Sequence, residues 1–568
     1  MNAVRPVQRK WNVAEQERAR VRNLSDTLGL PPIVAHLLLL RGIDSAAAAR
    51  DFLAPRMAHL SDPFLLTGMD EAVSRIAQAR DRGERVLIFG DYDVDGISAT
   101  AILLNGLRRF GLKDIDYAMP QRLTEGYGLN PARVEEAAAD GVGLVITVDN
   151  GIAAHAAAAR AHALGIDLIV TDHHALESEL PEALAVINPK REPPDYVGAD
   201  LCGAGVALKL ATALNGTAND LDIAALGTVA DIVPLLRENR VIVSLGLRHM
   251  AKYGRTGIAK LAAAAGVDIN SVSSEQIGFQ LGPRINAAGR LDDAMLGLRL
   301  LLEESAPEAG RMAGLLNEAN EARRAIERQI YEEAVEELEA YFVPDHRAIV
   351  LARRGWHAGV IGIVASRLEG RYHRPVVMVA IDEEGVGRGS ARSGGEFDMM
   401  AALTDCAALL EKFGGHRAAA GLTIREANVP AFRGAFAEAA REQLGDGELA
   451  PELPIDVLAS FTEIDSKLLK ALELLEPVGH GNPAPVFCSL GVEVVPRSVR
   501  ILKDRHLRMA VRQMDRVFTA IGFNMAERFY TEDLSGNIDI AYTPQFNFYQ
   551  GRTSIQLVLK DIRPCGSE

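Results

Sequence analysis

Between residues 81 and about 300, short aliphatic runs recur at intervals: Val86–Phe89, Leu144–Val148 and Asp167–Thr171. Runs this short and this apolar predict strands buried on both faces. Alanine-rich stretches separate them, so the segment predicts strand–helix alternation and a doubly wound sheet. Residues 306–342 hold no proline after Pro307 and are rich in Glu, Arg and Ala. They predict one helix of roughly 55 Å at 1.5 Å per residue; a core helix pair broken near Asn317–Glu318 is the alternative. From 346 to about 440 the α/β rhythm returns, with strand-like Ala348–Leu351 and Pro375–Val379. Gly445–Glu448 reads as a linker. The β-like runs beyond it, such as Gly491–Val495 and Ser554–Leu559, predict a small β-barrel. Residues 1 to about 80 read as a mixed helical lead-in, punctuated by Pro31-Pro32 and Pro63.

The polar residues at the strand ends change this picture from a scaffold to a site. Val86–Phe89 runs into Gly90-Asp91-Tyr92-Asp93-Val94-Asp95-Gly96. Extended backbone sends alternate side chains the same way, which would bring Asp91, Asp93 and Asp95 together. The second run ends at Asp149-Asn150-Gly151, the third at Asp172-His173-His174, and Asp231 closes the run Ile223–Ala230. Open α/β sheets bind ligands beyond the carboxyl ends of their strands, and three separate strands deliver Asp or His to that edge. Crowded carboxylates repel one another unless a hard divalent cation joins them. Many carboxylates, two histidines and no cysteine suit Mn²⁺ or Mg²⁺ better than zinc. A solvated acidic turn and a pair of surface or N-cap histidines are the plainer alternatives.

Composition narrows the class. At 568 residues the chain is too long for one core and predicts three or four domains. Four dispersed cysteines form no CxxC pair, which fits a reducing cytosol. The first residues carry no apolar signal core, and the stretch Leu37–Leu40 is far too short to span a bilayer. A net charge of −15 argues against a general polyanion binder. A local stripe runs the other way: Arg497, Arg500, Lys503, Arg505, Arg508, Arg512 and Arg516 stand against only Asp504 and Asp515. Phe518, Tyr542, Phe546, Phe548 and Tyr549 supply either stacking surfaces or a barrel core. No Ser-His-Asp or Cys-His arrangement and no G-x-x-x-x-G-K-[ST] presents itself, so neither a covalent intermediate nor ATP chemistry is expected.

DYDVDG, VDNG, TDHH and GTVAD, in this order, resemble the four motifs of the DHH phosphoesterase superfamily. WHAGVIGIVASRL from Trp356, GRGSARS from Gly387, KFGGHRAAAGL from Lys412 and GNPAPVF from Gly481 resemble the RecJ family within it, over nearly the whole chain. The resemblance implies a single-strand-specific 5′→3′ DNA exonuclease of recombination and repair, bacterial, cytoplasmic and nucleoid-associated, that releases nucleoside 5′-monophosphates. It implies a parallel-sheet DHH catalytic domain over 81–300 after the lead-in of 1–80, and a connecting helix over 301–345. A second α/β domain, the DHH-associated DHHA1 domain, follows over 346–445, and an OB-fold single-strand-binding barrel over 453–568. Two ions, Mn²⁺ or Mg²⁺, are implied. Asp149 bridges them, Asp93 serves one, and Asp95, His173 and Asp231 serve the other. Asp91 and Asp172 are outer residues, Asp91 orienting the loop or a histidine. His174 follows a ligand, so its ring is expected to point elsewhere, toward the scissile phosphate. Arg122, Arg290, Ser390 and Arg392 are implied to hold the 5′ end, with Arg284 an alternative to Arg290. His357 is expected at a helix N-terminus near an anion, and Gly414-Gly415-His416 as a tight turn that binds substrate. Single-strand-binding protein and a RecQ-type helicase are the implied partners. A small-substrate DHH phosphodiesterase, acting on short RNA or a cyclic dinucleotide, is the rival reading, as is an inactive scaffold.

Overall fold

The computed structural model describes residues 9–120, 128–176, 179–291, 294–341, 346–395, 397–445, 451–531, 536–549 and 551–566. The chain divides into two compact units, one of residues 18–320 with 470–484, the other of 1–17, 321–469 and 485–568. Among the described residues no single helix is long and apolar enough to cross a membrane.

A short strand, β1 (Lys10–Val13), precedes the first unit. That unit is built on a parallel sheet of β2 (Arg85–Phe89), β3 (Ile115–Ala118), β4 (Val142–Val148), β5 (Asp167–Thr171) and β6 (Ala185–Ile187), in the order β3-β2-β4-β5-β6. The central strands are buried along nearly their whole length, as their unbroken apolar runs require. The chain leaves β2 for β3 on one side and returns as β4 on the other, so the order reverses between β2 and β4. That is where open α/β sheets form a crevice. Helices cover the sheet, among them Val94–Phe110, Gly203–Asn215 and the almost fully buried Leu221–Ala230. Residues 470–484 also pack in this unit. The buried Arg240 guanidinium donates to the carbonyls of Leu474 (3.1 Å), Leu475 (3.0 Å), Glu476 (2.7 Å) and Phe52 (2.7 Å), and lies 3.6 Å over the Phe52 ring.

The helix Ala306–Tyr341 is continuous over 36 residues, so the broken pair is not what forms. In the second unit its buried Ile330, Ala334 and Leu338 pack with the helix Ile361–Tyr372 on a five-stranded sheet. The strands are β7 (Ile349–Arg354), β8 (Val376–Ile381), β9 (Val386–Arg392), β10 (Lys412–His416) and β11 (Ala419–Arg425), in the order β10-β11-β9-β8-β7. Only β7 and β8 run parallel.

The C-terminal sheet holds β13 (Val457–Leu458), β14 (Phe487–Val494), β15 (Arg500–Leu502), β16 (His506–Gln513), β17 (Arg516–Gly522), β18 (Ile538–Tyr549) and β19 (Arg552–Pro564). Pairings β14–β18, β18–β19, β19–β17, β17–β16 and β16–β14 close a five-stranded ring, with β17–β19 its parallel pair. This is the expected barrel. Phe461, Phe487 and Tyr542 fill its core and Phe518 packs edge-on against Phe461, whereas Phe548 stands in solvent. The lead-in is not helical throughout. β1 pairs parallel with β12 (Glu452–Ile455), and the Trp11 indole donates to Asp561 at 2.9 Å beneath the Arg563 guanidinium. The expected linker at Gly445–Glu448 lies outside the described residues after Gly445.

Candidate metal centre and phosphate-binding elements

The three aspartates after β2 converge, but not by strand alternation. Asp93 is extended and caps the helix Val94–Phe110, its Oδ1 accepting from the amides of Asp95 (2.9 Å) and Gly96 (3.1 Å). Asp95 already lies in that helix, so the helical turn, not a pleat, aims it. Its two oxygens accept from the first amides of the helix Gly203–Asn215, Gly203 at 2.6 Å and Ala204 at 2.9 Å. A helix N-terminus favours a carboxylate there.

After β4, Asp149 adopts a left-handed backbone (φ 63°) and bonds through its amide to the Thr171 carbonyl at 3.0 Å. Asn150 donates to the carbonyls of Phe89 (3.1 Å) and Val148 (2.9 Å), joining the ends of β2 and β4. Strained backbone of this kind gathers at functional sites. After β5, Asp172 is wholly engaged. Its Oδ1 accepts from the amides of His173 (2.7 Å) and His174 (3.0 Å) and pairs with His174 Nδ1 (2.7 Å), and its Oδ2 accepts from the Ile152 amide (2.9 Å). Asp172 therefore orients both histidines.

His173 Nε2 lies 3.1 Å from Asp149 Oδ1, 3.6 Å from Asp231 Oδ2 and 3.8 Å from Asp95 Oδ2. Asp231 reaches this point as the C-cap of Leu221–Ala230. Among the described residues, three groups bring potential ligand atoms within 4.8 Å of one another: Asp91, Asp93 and Asp149; Asp95, His173 and Asp231; Asp149, His173 and His174. Two expectations change. Asp91 stands among the ligating atoms rather than behind them. The His174 ring does not point away but lies 4.5 Å from the His173 ring, because Asp172 holds it there.

Charge makes the cluster incomplete as protein alone. Burial, then the fields of Asp95, Asp93 and Asp91, hold the Asp149 carboxyl well above the carboxylate range. Burial, then Asp95 and Asp93, push Asp231 up to about 9, and burial also raises Asp95. Burial lowers the His173 imidazole toward its neutral, ligating form despite Asp95 nearby. Burial also opposes charge on His174, yet the Asp172 contact outweighs it and raises that imidazole. Burial pushes Asp172 up, but its bonds to His174 bring it below the ordinary range. Carboxylates that cannot all ionise beside a neutral imidazole form a donor set completed by dications, and the residues present fit such ions.

The second unit gathers phosphate-type donors. On β9, Arg392 Nη1 donates to Ser390 Oγ (3.0 Å) and to the Ala391 carbonyl (2.7 Å). Both side chains lie against the first turn of Ile361–Tyr372, since a Cβ added at Gly362 would meet Ser390 Oγ at 2.8 Å and Arg392 Nη2 at 3.0 Å. His357 sits just ahead of that turn, its Nδ1 accepting from the Gly359 amide at 3.1 Å. Gly414-Gly415-His416 is not a turn. It forms the end of the edge strand β10, and the chain reverses at Arg417-Ala418. Gly415 (φ 150°) is required because a Cβ would meet the Ala419 carbonyl at 2.4 Å. His416 is exposed. Arg122 and the side chain of Arg290 lie outside the described residues. Arg284 donates to Asn317 (2.9 Å) and to the Gln280 carbonyl (2.6 Å), a structural engagement. On the barrel, Arg500 stands opposite Arg508, Lys503 lies in the β15–β16 turn next to Arg505, and Arg497 precedes β15 with φ 61°.

Three family models match the chain: the DHH family, N-terminal domain, over residues 85–230; the DHHA1 domain over 345–442; and the RecJ OB domain over 455–561. The single-stranded-DNA-specific exonuclease RecJ of Bacillus subtilis (strain 168) is 38% identical over 556 residues, covering 97% of this chain and 70% of that protein. The namesake from Salmonella typhimurium (strain LT2) is 35% identical over 581 residues, covering 97% of this chain and 100% of that protein. The chain belongs to the RecJ family. The crystal structure of RecJ in complex with Mn²⁺ from Thermus thermophilus superposes with a TM-score of 0.84 at 31% identity, covering 98% of this chain and 80% of that one. The Mg²⁺ complex of the same protein gives 0.79 at 30% identity, covering 98% and 79%.

Several residues of this RecJ-family site escaped the sequence reading. A Cβ at Gly203 would meet Asp149 Cβ at 2.5 Å, and one at Gly227 would meet Asp95 Oδ1 at 2.7 Å. Asn286 accepts the Val94 amide at 3.1 Å, and Asn188 donates to the His174 carbonyl at 3.0 Å. Gly227 carried a signal as the first residue of GTVAD, and Asn286 a weaker one between Arg284 and Arg290; Gly203 and Asn188 carried none.

Proposed function

We propose that this chain is a metal-dependent exonuclease that degrades single-stranded DNA from the 5′ end to nucleoside 5′-monophosphates. The observation that carries the reading is the meeting of Asp91, Asp93, Asp95, Asp149, His173 and Asp231 at the carboxyl ends of β2, β4 and β5. Family membership, the RecJ OB match and the Mn²⁺- and Mg²⁺-bound relatives support it over a small-substrate phosphodiesterase. Asp91, Asp93 and Asp149 would hold one ion, and Asp95, His173 and Asp231 the other, with Asp149 shared. When bound, two such ions supply an activated water and neutralise charge on the phosphoryl oxygens.

The protein's own groups do the rest. His174, whose imidazole Asp172 raises above its ordinary range, presents a donor beside the cluster for a phosphate oxygen. Ser390 and Arg392, at the N-terminus of Ile361–Tyr372, bind phosphate near the 5′ end, with His357, Gly414, Gly415 and His416 as neighbouring substrate contacts. By resemblance to the family, Arg122 and Arg290 are further candidates for 5′-end recognition. Like charges opposite each other across strands destabilise a sheet, so the pair Arg500–Arg508 fits a surface made for a polyanion, with Arg497, Lys503 and Arg505 beside it.

We assign residues 81–300 to catalysis, 346–445 to substrate binding and 453–568 to the OB module, 1–80 and 301–345 being lead-in and connecting helix. Residues 470–484 nonetheless pack with the catalytic unit. Single-strand-binding protein and a RecQ-type helicase are the proposed partners, in a nucleoid-associated cytoplasmic setting. Product analysis on 5′- and 3′-labelled single strands with Mn²⁺ or Mg²⁺ tests the function. Mononucleotides should appear from the 5′ label first, and Asp149→Ala should abolish hydrolysis while largely sparing DNA binding. Release from the 3′ label first would refute the polarity.

A further inference from the structure

Two large apolar side chains stand in solvent on segments that adjoin the metal cluster, and each lies on unusual backbone. Ile232 directly follows Asp231, is 70% exposed and has φ 61°. The left-handed region is strained for a β-branched residue, so its exposed position is held by its surroundings. The loop is indeed pinned. The Ile232 amide bonds to the Val229 carbonyl at 3.3 Å and the Leu235 amide to the His480 carbonyl at 2.7 Å. A Cβ added at Gly481 would lie 2.9 Å from Pro234 Cβ.

Phe279 is 79% exposed and lies in a π-helical turn, Ile277–Leu281. Such turns are rare and frequent at functional sites. The turn adjoins both walls of the metal cluster. A Cβ at Gly278 would lie 3.6 Å from Val229 Cγ1, and one at Gly282 would lie 3.6 Å from Ala230 Cβ and 3.9 Å from Val94 Cγ2. Val229 and Ala230 lead into Asp231, and Val94 separates Asp93 from Asp95.

We propose that Ile232 and Phe279 form a base-binding rim that takes the unpaired nucleobases flanking the phosphate at the metal cluster, and so makes the site selective for single strands. The inference rests on the nuclease reading and goes beyond it. Aromatic side chains stack on the faces of bases irrespective of sequence, and aliphatic ones wedge between base steps. A duplex keeps those faces stacked on one another, and an unpaired strand offers them. A phosphate-only site would have no use for two exposed hydrocarbons held at its edge.

The test uses the full chain with Mn²⁺ and two matched 5′-phosphorylated single strands, one ordinary and one whose first three residues are abasic. The wild-type kcat/KM should favour the ordinary strand by about 5- to 150-fold, the equivalent of stacking at about 1–3 kcal/mol per base. Phe279→Ala and Ile232→Gly should reduce that ratio at least about 5-fold, with Mn²⁺ half-saturation unmoved and Phe279→Trp retaining the ratio. An unchanged ratio in both variants overturns the proposal, including the case in which they alter self-association instead. Should Phe279→Ala not fold, Phe279→Trp against Phe279→Leu decides, and equal ratios overturn it. A wild-type protein that degrades neither strand would instead sink the nuclease reading itself.

Discussion

Replacing Gly203 with alanine puts a methyl group where the site has no room for one. The new carbon would lie 2.5 Å from Asp149 Cβ and 2.7 Å from Asp149 Oδ1. Restoring ordinary carbon–carbon contact of about 3.5 Å requires a shift of about 1 Å. Asp149 has little slack, because its left-handed backbone is tied to Thr171. Gly203 cannot yield either, because its amide bonds to Asp95 Oδ2 at 2.6 Å. Whichever side moves, one member of the metal cluster is displaced. Overpacking of this kind costs about 1–3 kcal/mol of stability, and a displacement of about 1 Å at a reacting centre costs about 100-fold in rate. Gly203→Ala should therefore fold, with a modestly lowered melting temperature, a weakened Mn²⁺ half-saturation and kcat down about 100-fold. Gly310→Ala is the control, since a Cβ there meets nothing within 4 Å on a continuous helix and should stabilise slightly. The measurement is single-strand degradation against Mn²⁺ concentration, beside a melting curve for each protein. Wild-type kcat and Mn²⁺ half-saturation in Gly203→Ala would refute the placement of Asp149 at the centre of the site.

Arg392→Ala should raise KM about 10- to 150-fold more for 5′-phosphorylated than for 5′-hydroxyl strands, the worth of a charge-assisted contact of about 1.5–3 kcal/mol; an unchanged ratio would make its bonds to Ser390 and Ala391 purely structural. Removing Arg500 and Arg508 together should flatten the slope of log K against log salt by about 1.4, since each phosphate contact on a single strand contributes about 0.7. An unaltered slope in fluorescence anisotropy would take the barrel stripe out of the binding surface. Arg240→Met strips four short bonds to carbonyls at residues 52 and 474–476, and each buried acceptor left unsatisfied costs about 1–3 kcal/mol. Denaturant unfolding should show a loss of at least about 3 kcal/mol, and a change within error would mean that residues 470–484 hold to the first unit by other means.

Much of this molecule was legible in its sequence, for a local reason. A run such as Leu144–Val148 or Leu168–Thr171 is apolar because both faces of a parallel strand are covered, and the run itself reports that. The rule that ligands gather beyond the carboxyl ends of parallel strands then placed Asp93, Asp149 and His173 at one edge before any coordinates. Residues 308–341, free of proline, suggested one helix, and the structure decided it over a pair broken near Asn317–Glu318. What tertiary structure decided is how each group is aimed. Asp95 reaches the cluster on a helical turn and is held by amides 108 and 109 residues away. His174 joins the cluster because Asp172 turns its ring inward. Gly414 and Gly415 lie in a strand because β11 pairs with them. β1 and residues 470–484 each pack far from their sequence neighbours. A strand's period is written in its own side chains, whereas a carboxylate's direction, a glycine's necessity and a segment's partner are set by atoms far away along the chain. No window of sequence contains both halves of such a contact.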